Sequence, residues 1–177
     1  MMNKSARFSD CKKYRYSLCR IWNEKKGLVN FVGLNPSTAD ENIDDPTIRR
    51  CVRFADSWGY GGLIMTNLFA FRATDPAEMR AADDPVGPDN DYFVKELSMI
   101  AELTVMSWGA SGSFMARDFA VKTFLKNACY LALTKSGQPR HPLYLKKDLK
   151  PIPALFYDDQ IREELNQQIL KKLEGGK

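Results

Sequence analysis

Apolar and polar positions divide the chain into short segments of two periods. Residues 14–22 alternate well enough for a half-buried strand, and Asn23-Glu-Lys-Lys-Gly27 is a polar turn. Residues 28–34 form a second strand, and the short link between the two predicts a hairpin. Residues 63–69 and 103–108 are apolar enough to be buried on both faces, and 129–133 is a further strand.

Between the strands the period lengthens. Asp45 is placed to cap a helix with Pro46 at its first position. Ile48, Cys51, Val52, Ala55 and Trp58 form its apolar stripe, and Gly59 closes it. Asp75-Pro76 starts a short helix, residues 89–101 and 113–127 form two more, and a charged helix near 159–173 ends the chain. Strands alternating with helices predict one α/β domain over residues 1–177, with its core at about 14–157. The expected architecture is a three-layer sandwich on a mostly parallel central sheet.

Composition narrows the function classes. The chain has 177 residues, 44% of them hydrophobic and 27% charged, which suits a folded domain with a real core. A net charge of +4 is compatible with an anionic ligand but does not by itself announce nucleic-acid binding. No apolar run approaches the ~20 residues of a membrane span, and the first residues lack a signal-peptide core. A cytoplasmic protein without a membrane partner is therefore expected. One histidine and four cysteines with no C-x-x-C pair give no usual zinc spacing, so no metal or other cofactor is expected. Cys19, Cys51 and Cys129 sit in apolar surroundings and read as small core residues. A P-loop, a G-x-S-x-G nucleophile turn and a zinc deaminase signature are all absent.

In parallel sheets ligands bind beyond the carboxyl ends of the strands, and the notable residues fall there. Gly33-Leu34-Asn35-Pro36-Ser37 follows one strand: Gly33 allows close backbone approach, Pro36 stiffens the exit, and Asn35 either holds a water or makes an Asx-turn. Asn67 lies in an apolar strand, where an amide either reads a ligand edge or pins a loop. Phe69 either stacks on a base or belongs to the core. Trp108 and Gly109 follow the third strand. His141 rides a cationic loop with Lys135 and Arg140, and can donate to a phosphate, a leaving base or an oxyanion. Arg49 and Arg50 can hold phosphate near a helix start, whereas Asp44 and Asp45 read as caps or, alternatively, as metal ligands.

Two resemblances bear on these residues. From about residue 14 to 145 the chain is identified as a member of the bacterial and phage family called domain of unknown function 1643. The marks are Tyr14-Arg-Tyr, Gly33-Leu-Asn-Pro-Ser-Thr-Ala-Asp40, Asp44-Asp-Pro-Thr-Ile-Arg-Arg-Cys51, Asn67-Leu-Phe-Ala-Phe-Arg-Ala-Thr-Asp-Pro76, Trp108-Gly109 and Gly137-Gln-Pro-Arg-His-Pro-Leu-Tyr-Leu145. More distantly, Gly33-Leu-Asn35-Pro36, Asn67, the strand ending at Gly109, and His141-Pro142-Leu-Tyr-Leu145 resemble, in order, the motifs of the uracil-DNA glycosylase superfamily.

That second resemblance implies a glycosylase-like fold. It also implies roles: Asn35 orients the attacking water, Asn67 reads the base, and His141 supports the departing base. Ser37 stands where many glycosylases have Gly, and Tyr144 either crowds a DNA-intercalating loop or stacks in it. The expected partner is a nucleic acid or nucleotide, and the expected function is base recognition with hydrolysis of an N-glycosidic bond. Two rivals stand beside it: a non-catalytic module for modified bases or nucleotides, and a hydrolase or transferase using metal held by Asp44 and Asp45.

Overall fold

A computed structural model describes residues 2–154. Its strands are β1 (Asn3–Phe8), β2 (Arg15–Ile21), β3 (Leu28–Gly33), β4 (Gly62–Asn67), β5 (Leu103–Met106), β6 (Ala128–Tyr130) and β7 (Ile152–Pro153). The helices are α1 (Pro46–Ser57), α2 (Pro76–Arg80), α3 (Asn90–Ile100) and α4 (Arg117–Lys122). The strands make one sheet in the order β1-β2-β4-β3-β5-β6-β7. The expected helix near 159–173 lies outside the described residues.

The fold is α/β, as expected, but its sheet is mixed rather than mostly parallel. β4, β3, β5 and β6 run parallel, β2 and β7 pair antiparallel with the two sides of this group, and β1 pairs antiparallel with β2 at the edge. The expected hairpin of residues 14–34 does not form. β2 pairs antiparallel with β4, and β4 pairs parallel with β3, so β4 lies between the two strands. The link from β2 to β3 crosses the start of β4, where Trp22 and Asn23 donate to the Gly61 carbonyl at 2.9 Å each. A Cβ on Gly61 would stand 2.0 Å from the Asn23 carbonyl oxygen, so glycine makes this crossing possible. All six residues of β4 are buried, and pairing on both edges satisfies its backbone.

The expected helix over 113–127 is also replaced. Ala110–Ala116 is 3₁₀, and only Arg117–Lys122 is α-helical. The break comes at Met115 and Ala116, whose φ values are 54° and 52°. Just before them the Phe114 ring packs on Phe69, with ring centroids 5.6 Å apart, so tertiary packing overrides helical periodicity.

Two hydrophobic clusters cover the two sheet faces. Leu18, Val29, Phe31, Leu63, Met65 and Val105 pack with Ile48, Cys51 and Phe54 of α1. The adjacent strand positions Val32 and Met106 point the other way, into Met79 of α2, Val94 of α3 and Val121 of α4. Asp45 caps α1 as expected, accepting from the Ile48 N–H at 2.8 Å. The chain leaves β3 through α1 toward β4 on one side and leaves β5 through α4 toward β6 on the other. The carboxyl ends of β3 and β5 therefore flank a switch in winding direction, the place where such sheets accept ligands.

Candidate functional site

Asn67 is the last residue of β4 and is 1% exposed. Alternation from Leu63 and Met65 sets it on the α1 face. Its register partner is Gly33, and a Cβ there would meet the Asn67 Oδ1 at 2.8 Å, so the missing side chain makes room for the amide. Among the described residues neither Oδ1 nor Nδ2 of Asn67 has a hydrogen-bond partner. Each such buried group costs about 1–3 kcal/mol if nothing else meets it.

The backbone around Asn67 is held quite differently. Asn90 Nδ2 donates to the carbonyls of Asn67 and Leu68 at 3.0 Å each. Arg117 Nε and Nη2 donate to the same Leu68 carbonyl at 3.2 and 3.1 Å, and the guanidinium is paired with Asp91. A rigid strand end thus presents a side chain with free hydrogen-bonding capacity.

Asn35 occupies the loop after β3. Its Nδ2 donates to the Ala73 carbonyl at 2.8 Å and to the Pro36 carbonyl at 3.1 Å, while the Ala73 N–H donates to Pro36. These bonds tie the exits of β3 and β4 together and leave the Asn35 Oδ1 without a donor among the described residues. Pro36 is buried and Ser37 half-buried beside it.

The His141 loop closes onto the β5 exit. The Gly109 N–H donates to the Pro139 carbonyl and Trp108 Nε1 to Gln138 Oε1, both at 2.8 Å. A Cβ on Gly109 would lie 3.8 Å from the Cβ of His141. His141 is half-buried, and its Nδ1 accepts from the Leu143 N–H at 3.4 Å. The neutral ring then carries its proton on Nε2. Burial holds the imidazole below its ordinary pKa, with Asp45 acting in the opposite sense. At neutral pH it is an uncharged donor. Arg50 donates to the Leu145 carbonyl and stacks over Phe54 at 4.7 Å, fastening this loop to α1.

The remaining expected residues are spread out. Arg49 is exposed and donates to the Asp44 carbonyl, while Arg140 and Tyr144 are exposed on the loop surface. Phe69 is fully buried against Phe114, so a base stacking on it would have to displace that ring. Asp44 pairs with Arg20 at 2.7 Å and with Lys4 at 3.8 Å. Among the described residues no three His, Cys, Asp or Glu side chains gather as a metal-binding group. Cys51 and Cys129 are buried, and burial pushes both thiols up, Cys129 to about 12. A cavity of about 560 Å³ lined by Trp58, Tyr60, Leu103 and Cys129 lies at the opposite end of the strands, away from this chemistry.

Neither Arg15 nor Asn90 stands out in the sequence as a site residue, and Arg72, Asp75 and Arg117 read there as a solvated face or local ion pairs. Arg117 does pair with Asp91, and its grip on the Leu68 carbonyl is the part not foreseen. Arg15 is 2% exposed, donates from Nη1 to the Ala39 carbonyl at 2.6 Å, and has no partner at Nε among the described residues. An arginine in an apolar strand was the available signal, but Arg20 gives the same signal and is fully partnered.

No described helix is long and apolar enough to cross a membrane. No curated protein and no solved structure matches the chain. A family model described as a protein of unknown function, DUF1643, matches residues 15–143, most of the chain, which therefore belongs to that family.

Proposed function

We propose that this protein recognises a nucleobase carried by a nucleotide or nucleic acid and hydrolyses its N-glycosidic bond. It would do so as one cytoplasmic domain of uracil-DNA glycosylase type, a three-layer sandwich, without a cofactor. The observation that carries the reading is the buried, unpartnered carboxamide of Asn67 on a clamped strand end. An amide offers one donor and one acceptor side by side, the pattern that matches a base edge.

The other residues fit the same chemistry. Asn35 has its NH₂ fixed on Ala73 and its Oδ1 free to accept from a water. The water oxygen bonds to the sugar C1′ as the C1′–N bond breaks and its electron pair leaves with the base. His141, neutral and protonated on Nε2, donates to that developing negative charge, and the water's proton is released to solvent. On a duplex the target base must first leave the stack.

A non-catalytic base-binding module is favoured by one observation: the bonds of Asn35 to Ala73 and Pro36 are those of a residue that pins a loop. The two readings separate in one assay. Purified protein is incubated with single- and double-stranded DNA bearing uracil, mismatched thymine, hydroxymethylated or deaminated bases, and released base is measured by mass spectrometry. Hydrolysis predicts release that Asn35→Ala and His141→Ala both abolish. Binding without release, weakened in Asn67→Leu, establishes the module instead.

A further inference from the structure

We propose that Arg15 and Arg72 form a phosphate-binding position beside the Asn67 amide, which makes the ligand a nucleotide rather than a bare base or nucleoside. The naming of a nucleotide rests on the base reading of Asn67; the anion position stands on its own geometry.

The two arginines meet at the rim because β2 runs antiparallel to β4, so the start of one strand lies beside the end of the other. The Arg15 N–H donates to the Ala70 carbonyl at 2.9 Å, and the Arg72 N–H donates to the Lys13 carbonyl at 3.0 Å. Both side chains therefore start just beyond Asn67, on adjacent segments. Arg15 is buried, yet among the described residues no carboxylate lies within ion-pair distance of it. Buried arginines are ordinarily paired.

Its hydrogen bonding is also lopsided. Nη1 is taken by Ala39, while among the described residues Nε has no acceptor and no bond is made from Nη2. That Nε–Nη2 edge is the fork that grips two oxygens of a phosphate. Arg72 repeats the pattern: Nη1 donates to the Lys12 carbonyl at 3.3 Å, its Cζ lies over the Phe8 ring at 4.9 Å, and its buried Nε is unpartnered among the described residues.

The nearby acids are occupied elsewhere. Asp40 accepts from the Asn42 and Ile43 N–H groups at 2.8 Å each, and Asp45 caps α1. Arg20 is satisfied by Asp44 and the Asp40 carbonyl. Burial, with Arg72 and Arg20 adding to it and Asp45 and Asp40 opposing, pushes Arg15 down to about 10, so it stays charged at neutral pH. Two guanidinium groups that rise from neighbouring segments, each with an Nε unpartnered among the described residues, suit a shared anion.

The phosphate can come from a free mononucleotide or from a phosphodiester. Calorimetric titration of the full chain distinguishes them, using inorganic phosphate, nucleosides of the four DNA bases and uracil, their 5′-mononucleotides, and dinucleoside monophosphates. The expected result is at least about tenfold tighter binding of a phosphate-bearing probe than of its nucleoside. Arg15→Met and Arg72→Met should each remove most of that advantage and leave nucleoside affinity unchanged, and the tighter probe class names the source. If Arg15→Met does not fold, Arg15→Lys, which keeps the charge without the fork, should still lose several-fold.

Equal affinity for nucleoside and nucleotide, an advantage that survives in the Arg15 variants, or no binding of any phosphate-bearing probe overturns the proposal. Arg15-dependent phosphate binding to which a nucleoside adds nothing, and which Asn67→Leu leaves unchanged, keeps the anion position and removes the base reading.

Discussion

Arg15 and Arg20 lie on the same strand, both almost wholly buried, and the protein treats them in opposite ways. Arg20 donates to the Asp44 carboxylate and to the carbonyls of Cys19, Asp40 and Ile43. Arg15 donates to one carbonyl and leaves an edge free. The same split divides the exit of β4, where Asn90 and Arg117 hold the Asn67 and Leu68 carbonyls while the Asn67 carboxamide has no partner among the described residues. Partnered groups fix the frame, although Asn90 Oδ1, Arg50 Nε and Asn30 Nδ2 within it also lack partners among the described residues. Asn67 and Arg15 differ in lying at the carboxyl rim of the sheet, where a ligand would complete them. Evolution tolerates such unsatisfied groups where function needs them.

The comparison breaks most visibly at Arg20. Arg20→Met strips the closer of its two cationic partners from Asp44 and frees three carbonyls, and should destabilise the fold by about 3 kcal/mol in urea unfolding. Arg15→Met, the same chemical change on the same strand, should lose little or gain stability. Equal losses at the two positions would erase the distinction. Next in size, Asn90→Leu releases two carbonyls at the β4 exit and should cost about 1–3 kcal/mol, with weaker base binding because Asn67 is no longer held.

A smaller effect follows from His141, whose folded pKa lies below its ordinary value. The unfolded chain takes up the proton first as pH falls, so this contribution is complete above the ordinary histidine pKa of about 6.5 and is lost as pH drops toward the folded value. Urea midpoints between about pH 7.5 and about pH 5.5 should therefore fall more steeply in the wild type than in His141→Asn. Matching slopes would show that the imidazole is not held neutral by its surroundings.

Much of the frame was legible in the chain. β3, β4, β5 and α1 announced themselves by period and by Asp45, Pro46 and Gly59. What escaped notice had a physical reason. β1 is an edge strand with three exposed residues at its start and no buried face, so it carries no hydrophobic pattern. The crossing of the β2–β3 link over Gly61 and Gly62 is a backbone event that two glycines permit but do not spell out. The site divided along the same line. An amide in the apolar run 63–69 pointed at Asn67, because burial of an amide is itself informative. Arg15 and Arg20 look alike in sequence, and only the folding of residues 40–45 onto one of them tells them apart.

The most direct test of the account is the unfolding free energy of wild type and Asn67→Leu, each measured with and without a mixture of 5′-mononucleotides. The account predicts that the ligand-free variant is at least as stable as wild type. It predicts that mononucleotide stabilises the wild type by about 2.7 kcal/mol at a hundredfold excess over Kd, and the variant, which keeps only the anion position, by clearly less. A ligand-free variant that loses stability, with a ligand effect equal in both proteins, would show that Asn67 serves the fold and that the rim is not a base-reading site.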